Sequence, residues 1–310
     1  MPGYLHSVPS GQGARELDEN DLLRRRIRQE TQRSMPVRWP VPALRFGRPK
    51  KILQISMTKS QDKIAIITGG SRGLGRSTVL SLAKHGVDSI FTYHSNQSEA
   101  EKVTELVADS GRRAIALQLD TGNVKTFDSF VTSVRQALAT WEAEHFDYLI
   151  NNAGTSLHKN FDQTTEEELD AIYNVHFKGV YFLTQKLLPL INDGGRIVNV
   201  SSGLARFSLP GSSAYGSMKG AVEVLTRYLA KELGPREIAV NTVAPGAIAT
   251  DFSGGMVRDN PEVNKRVAEM TALGRVGEAE DIGPMIASLL SEDNRWINAQ
   301  RIEVSGGMNV

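Results

Sequence analysis

The hydrophobic positions of this 310-residue chain change character near Met57. From there to the C-terminus, short apolar runs alternate with longer amphipathic stretches. The runs at 63–68, 89–93, 113–118, 148–151, 196–200, 239–243 and 301–304 predict buried strands. The stretches at 75–85, 98–110, 124–141, 165–190, 214–233 and 279–290 have helix length. Strands alternating with helices predict βαβ units and a single doubly wound α/β domain, with a parallel sheet of about seven strands and helices on both faces. In such a sheet a ligand binds beyond the carboxyl ends of the strands, where the strand order reverses.

Residues 1–56 follow no such pattern. They contain six prolines, and only 16–32 could form a helix, a charged one around Arg24, Arg25 and Arg26. This leader holds 11 Lys/Arg against 5 Asp/Glu, whereas the remainder holds 25 against 30. Glu16, Asp18, Glu19, Asp21 and Glu30 argue against a targeting peptide, a class poor in acidic residues. We expect two regions: a basic, disordered leader over 1–56, dispensable for the fold, and the α/β domain over 57–310.

Charge and composition narrow the function. The acidic balance after Met57 excludes a basic nucleic-acid face in the main body. A nucleic-acid role would rest on the leader's charge alone. No apolar run approaches the roughly 18 residues needed to cross a bilayer. There is no cysteine, and the six histidines show no metal-ligand spacing, so no metal site is expected. Absence of disulfides suits a cytoplasmic protein.

The run Thr68-Gly69-Gly70-Ser71-Arg72-Gly73-Leu74-Gly75 links the first strand to the first helix. Glycines there let the backbone turn tightly and approach a pyrophosphate, and the helix N-terminus supplies amides. Further along stand Asp120-Thr121, Asn151-Asn152-Ala153-Gly154, Ser202, Tyr215-x-x-x-Lys219 and Pro245-Gly246. In this order the motifs resemble the short-chain dehydrogenase/reductase family, across residues 62–310, and imply a Rossmann-type domain.

The resemblance implies a nicotinamide cofactor held by Gly69, Ser71, Arg72, Gly73, Leu74 and Gly75. Asp120 and Thr121 would meet the adenine, and Asn152, Ala153 and Gly154 the riboses. Pro245, Gly246, Ile248 and Thr250 would face the nicotinamide amide. The second strand ends Tyr93-His94-Ser95-Asn96 with no carboxylate for a ribose 2′-hydroxyl, and Arg72 could pair a 2′-phosphate. NADP(H) is therefore expected, with NAD(H) possible.

Tyr215 and Lys219 stand four apart on one helix, hence on one face. Free tyrosine titrates near 10, so it needs help to exchange protons at neutral pH. The resemblance implies that Tyr215 exchanges the proton, with the Lys219 ammonium and the oxidised nicotinamide lowering its pKa. Lys219 would also hold the nicotinamide ribose. Ser202, 13 residues before Tyr215, would hydrogen-bond the substrate oxygen. Ser201 would point to the opposite face of its strand.

One position departs from the family. Where it carries an asparagine that holds a relay water near the lysine, this chain reads Val175-His176-Phe177-Lys178-Gly179-Val180. His176 would take that place and give turnover an acidic limb through its own pKa, which starts near 6.5.

The stretch 251–273 corresponds to the family's substrate lid, and its Phe252, Met256 and Met270 predict a partly hydrophobic small-molecule substrate. The implied reaction interconverts a carbonyl and a secondary alcohol. Two alternatives stay open: a 3-oxoacyl-carrier-protein reductase, docking its acidic partner through Lys231 and Arg236, and a non-catalytic NADP-binding regulator. Resemblance of 278–290 and 301–308 to the family's subunit contacts implies a homotetramer.

Overall fold

The computed structural model describes residues 62–310, so the leader lies outside the described residues. All seven expected strands form: β1 (Ile64–Ile67), β2 (Asp88–Tyr93), β3 (Ala114–Gln118), β4 (Phe146–Asn151), β5 (Ile191–Val200), β6 (Ala239–Pro245) and β7 (Arg301–Val304). They pair in parallel in the order β3-β2-β1-β4-β5-β6-β7. The chain leaves β1 outward through β2 and β3, then returns to place β4 on the other side of β1. That reversal opens a crevice at the carboxyl ends of β1 and β4.

The near-continuous apolar strands follow from burial on both faces. Ile64 and Ile66 enter one core layer, with Phe127, Phe130 and Leu138 of α3 (Phe127–Thr140) and Leu183 and Leu187 of α5 (Gly179–Leu187). Ala65 and Ile67 enter the other, with Val79 and Leu82 of α1 (Gly73–Lys84), Val103 and Val107 of α2 (Gln97–Asp109), and Ile282 and Ile286 of α9 (Ala279–Leu289). Each such buried side chain contributes about 1.5–3 kcal/mol. On the α9 side, Gly283 meets α1 so closely that a Cβ would stand 2.4 Å from Ser77 Oγ.

One expected helix is broken. The stretch 165–190 divides into α4 (Glu166–Tyr173), a π turn (Asn174–Lys178), α5 and a 3-10 turn (Leu188–Leu190). At the π turn's end the Thr121 carbonyl comes within 2.1 Å of where a Gly179 Cβ would stand, so the helix meets the loop after β3 directly. At the far end Pro189 has no amide to continue the ladder. The stretch 214–233 is realised as α6 (Ser213–Glu232).

Beneath the crevice, polar side chains cross the sheet in register. Asn151 on β4 donates to Asn199 Oδ1 on β5 (2.8 Å) and to Thr184 Oγ1 (3.0 Å). Asn199 and Thr242 reach Thr226 Oγ1 at 2.9 and 2.8 Å, and Thr226 donates to the Val222 carbonyl. These buried groups are satisfied, which fixes the spacing of β4, β5, β6 and α6.

Candidate active site

The crevice is a cavity of about 770 Å³. Its lining includes Gly69, Ser71, Arg72, Gly73, Leu74, His94, Ser95, Asn96, Asp120, Thr121, Asn152, Ala153, Gly154, His176, Ser202, Tyr215, Lys219, Pro245, Gly246, Ile248 and Thr250. Of the catalytic and cofactor residues expected from the sequence, Gly75 alone is not on the wall, and it sits one layer behind; Met270 of the expected lid is not on the wall either. A Cβ on Gly75 would lie 2.0 Å from the Gly69 carbonyl oxygen.

The loop between β1 and α1 is built for an anion. Gly69 and Gly73 take φ of +68° and +53°, which favours glycine. Helix α1 begins at Arg72 with no side-chain cap and no acidic residue in its first turn, so its free amides face the cavity. By contrast α2 is capped by Asn96, whose Oδ1 accepts from the Glu99 amide at 3.2 Å. These features fit a dinucleotide's diphosphate. Among the described residues no side chain pairs with the exposed Arg72 guanidinium at the same rim.

Several residues do more than line the wall. Asn152 Nδ2 donates to the carbonyls of Thr68 (2.8 Å) and Gly69 (3.1 Å), and thereby braces the glycine loop against β4. Asp120 Oδ1 accepts from the Gly122 amide at 2.9 Å, leaving its second oxygen for a ligand. Sequence reasoning missed Glu99, which brings a carboxylate to the rim beyond β2. Lys102 pairs with it at 2.7 Å. It also missed Thr155 and His158, on the loop after β4, where position beyond a strand end was the available signal.

At the other end, Ser202 and Tyr215 face each other across the cavity floor. Ser202 caps the 3-10 turn Gly203–Ala205, its Oγ accepting from the Leu204 amide at 3.2 Å. Ser201 donates to Glu223 Oε1 at 2.7 Å. Lys219 is buried on α6 and donates from Nζ to the Val200 carbonyl at 2.7 Å, with Nζ 5.6 Å from the centre of the Tyr215 ring.

The expected lowering of the Tyr215 pKa is not provided by the chain itself. Burial pushes the phenol up to about 12, and only the Ser202 hydrogen bond pulls the other way. Burial lowers the Lys219 ammonium to about 7. Desolvation disfavours both charged forms, and Lys219 directs its proton at a carbonyl rather than at the phenol. Burial therefore holds the phenol in its neutral form across ordinary pH.

His176 lies on the π turn, and its buried ring meets that of Tyr215 edge-on, with centroids 5.1 Å apart. Its Nε2 stands 2.7 Å from the Thr155 carbonyl and 3.2 Å from the Thr155 amide. The shorter contact assigns the proton to Nε2, which leaves Nδ1 an acceptor without a partner among the described residues. A Cβ on Gly154 would fall 2.7 Å from the ring, so the glycine is needed beside it.

Burial first, and the Lys219 charge second, lower the His176 pKa to about 3. This corrects the acidic limb expected from a free histidine, because the ring stays neutral through the range where that limb would fall. The same shift predicts a stability effect. Between pH 6.5 and about 3 the unfolded chain binds a proton that the folded ring refuses. The histidine's contribution is thus fully present above 6.5 and is lost as pH falls. From pH 6.5 to 5, wild type should lose about 2 kcal/mol more unfolding free energy than His176→Asn. Urea titrations at the two pH values measure this; equal losses would mean the ring is solvated.

Comparison with known proteins agrees with this geometry. The family model described as enoyl-(acyl carrier protein) reductase matches residues 69–309. A hydroxynaphthalene reductase-like protein of Metarhizium brunneum is 34% identical over 256 residues, covering 79% of this chain and 94% of that protein. The solved structure of LugOII, a reductase catalysing keto-reduction at C1 during lugdunomycin biosynthesis, superposes with a TM-score of 0.75 at 36% identity, covering 79% of this chain and 96% of that one. The angucycline C-6 ketoreductase LanV with bound NADP gives 0.74 at 34% identity, covering 80% and 95%. Fold, site and relatives define an oxidoreductase. The chain belongs to the short-chain dehydrogenase/reductase family.

Proposed function

We propose that this chain is an NADP(H)-preferring ketone reductase in which Tyr215 is the general acid of reduction and the general base of the reverse oxidation. The observation that carries the reading is the Tyr215 hydroxyl, hydrogen-bonded to Ser202 and held neutral by burial, above Lys219 in the switch-point cavity. A bound nicotinamide supplies or accepts the hydride. Ser202 holds the substrate oxygen as charge develops on it, and Tyr215 delivers the proton to that oxygen. Lys219 orients the ribose. A phenol near 12 favours the direction of reduction at neutral pH.

The NADP preference rests on Arg72, without a side-chain partner among the described residues and on the same cavity wall as His94 and Ser95, while Glu99 is engaged by Lys102. Arg72→Ala is expected to weaken NADPH by about 1.5–3 kcal/mol, the scale of a charge-assisted hydrogen bond, and NADH hardly at all. Fluorescence titration with each cofactor tests it, and an equal loss for both would transfer Arg72 to the diphosphate or the fold.

For the substrate, an uncharged aromatic ketone fits best. Leu204, Phe207, Leu209, Phe252, Met256 and Val263 line that half of the cavity. Its one carboxylate, Asp251, is paired with Arg258. The Metarhizium relative, by name a hydroxynaphthalene reductase-like protein, points the same way, and LugOII and LanV are keto-reducing enzymes. An acyl-carrier substrate loses a support, since Arg236 is bound to Asp193 at 2.7 Å and to the Leu188 and Ile191 carbonyls. Assembly as a homotetramer is part of the proposal. Exposed Leu169, Tyr173, Tyr181, Phe182, Val224 and Tyr228 on α4–α6 support it, whereas α9 is largely taken up by packing on α1. Light scattering should give a four-chain mass.

The deciding assay is NADPH oxidation with a panel of bicyclic aromatic ketones, β-ketoesters, sugars and β-ketoacyl thioesters. Turnover of the aromatic ketones is expected. NADPH binding with no turnover of any carbonyl would leave the non-catalytic reading standing.

A further inference from the structure

Behind the active-site serine runs a chain of charged hydrogen bonds that the reaction does not itself use. Ser201 donates to Glu223 Oε1, which also accepts from Arg301 Nε at 2.8 Å. Arg301 donates to the Ser202 carbonyl at 3.3 Å and to Glu303 Oε2 at 2.8 Å. Glu303 receives both forks of Arg206, each at 2.8 Å. Arg206 closes the 3-10 turn that begins at Ser202. The same guanidinium reaches past Glu303 to the carbonyls of Met308 (2.9 Å) and Asn309 (3.1 Å) in the C-terminal tail.

That tail is itself fastened to the lid, which carries the 3-10 turn Phe252–Gly255, α7 (Met256–Asp259) and α8 (Pro261–Glu269). At the lid's base, the amides of Ala272 and Leu273 donate to the carbonyls of Gly307 (3.2 Å) and Gly306 (3.0 Å). In return the Asn309 amide donates to the Met270 carbonyl at 3.0 Å. Between these bonds Met308 is 3% exposed and forms part of the cavity wall, as do Leu204 and Phe207 on either side of Arg206 in sequence. The tail is thus held on one edge by the lid and on the other by the Arg206 guanidinium.

We propose that Arg206 is a positioning residue for the ketone reduction inferred above. It joins the Ser202 turn to the tail, and through the tail to the lid, so that settling the lid over a substrate also sets the Ser202 hydroxyl. Two features separate this from an ordinary surface ion pair. The Arg206–Glu303 pair is bidentate and continues into Arg301, Glu223 and Ser201, the arrangement in which such pairs keep their geometry. Its acceptors, Glu303 and the carbonyls of Met308 and Asn309, also lie about 100 residues from Arg206 in sequence, and Met308 lines the cavity together with Leu204 and Phe207.

The test uses the full chain with Arg206→Ala, Arg206→Lys and Glu303→Gln. Arg206→Ala should lower kcat by about 10- to 100-fold and raise the ketone KM, as expected for an ångström-scale misplacement, while NADPH affinity stays within about twofold. Arg206→Lys keeps the charge but not the fork, so it should fall between wild type and Ala. With NADPH deuterated at the transferred position, the isotope effect on kcat should rise, because mispositioned chemistry becomes rate-limiting. A merely structural clamp would instead reduce turnover in proportion to the fraction still binding NADPH and leave the isotope effect unchanged. Either that result or wild-type kinetics in Arg206→Ala overturns the proposal. Hydrogen exchange on the NADPH complex keeps the joint testable if no ketone is turned over. In Arg206→Ala the Leu204–Phe207 and Ala272–Leu273 amides should exchange faster together, and acceleration of only one group would overturn the link.

Discussion

Tyr215→Phe is expected to bind NADPH as tightly as wild type and to turn over about 10²–10⁴-fold more slowly. The substitution removes one oxygen and keeps the ring. Its edge contact with His176 and its packing 6.1 Å from Phe252 are ring contacts, so the cavity wall survives. What is lost is a hydroxyl that combines a hydrogen bond to Ser202 with a proton held at about 12. Ser202 keeps its bond from the Leu204 amide and still receives the substrate oxygen, but without a partner to deliver a proton. Stopped-flow hydride transfer under saturating NADPH measures the effect. Turnover within tenfold of wild type would remove Tyr215 from the mechanism. If wild type and variant were equally inert while binding NADPH, the regulator reading would gain instead.

The pH dependence follows from the same burial. Because the phenol is neutral across the working range, the rate of reduction should not rise with pH on account of Tyr215. Lys219, lowered to about 7, changes charge within that range and is the group whose titration a rate profile would carry. His176, at about 3, lies outside it.

Most of this site could be read from the sequence because its motifs fall at strand ends. Gly69 to Gly75, Asp120, Asn152 to Gly154 and Ser202 each follow a parallel strand and Pro245 ends one, and parallel strands place their carboxyl ends together. Periodicity located all seven strands, most plainly β1, β4 and β6, where burial on both faces leaves few polar positions. What the sequence did not disclose depends on the third dimension. A helical reading of 165–190 could not anticipate the π turn at Asn174–Lys178, nor that Gly179 after it packs against the Thr121 carbonyl, distant in sequence. Side-chain priorities were hidden as well. Asn96 caps a helix and Asn152 braces a loop, roles compatible with lining a cofactor but not visible as such. In the chain by itself burial raises the Tyr215 pKa, and helical spacing does not show that Lys219 directs Nζ to the Val200 carbonyl of β5. Glu223 was within reach, since it stands four residues after Lys219 on α6 and so shares its face.

Gly75→Ala should raise the NADPH dissociation constant by about 100-fold or more, equivalent to roughly 3 kcal/mol. The added methyl carbon would stand 2.0 Å from the Gly69 carbonyl oxygen, 2.8 Å from its carbon and 2.6 Å from Asn152 Nδ2. None of these is the free end of a flexible side chain. Gly69 is backbone at φ +68°, and its own Cβ position already lies 3.0 Å from Ala153 Cα, so it has no room to retreat. Asn152 is committed to the carbonyls of Thr68 and Gly69. The strain, about 1–3 kcal/mol for overpacking and more where backbone must move, therefore falls on the loop that presents amides to the diphosphate. General destabilisation is separated by Gly86→Ala at the other end of α1. There φ is +80° with nothing within 4 Å, so the alanine costs about 1 kcal/mol in backbone strain and leaves the loop untouched. Gly86→Ala should thus lower the melting temperature at unchanged NADPH affinity, while Gly75→Ala should lose affinity far beyond its loss of melting temperature. Should both variants bind NADPH like wild type, the loop between β1 and α1 would not be where this chain holds its cofactor.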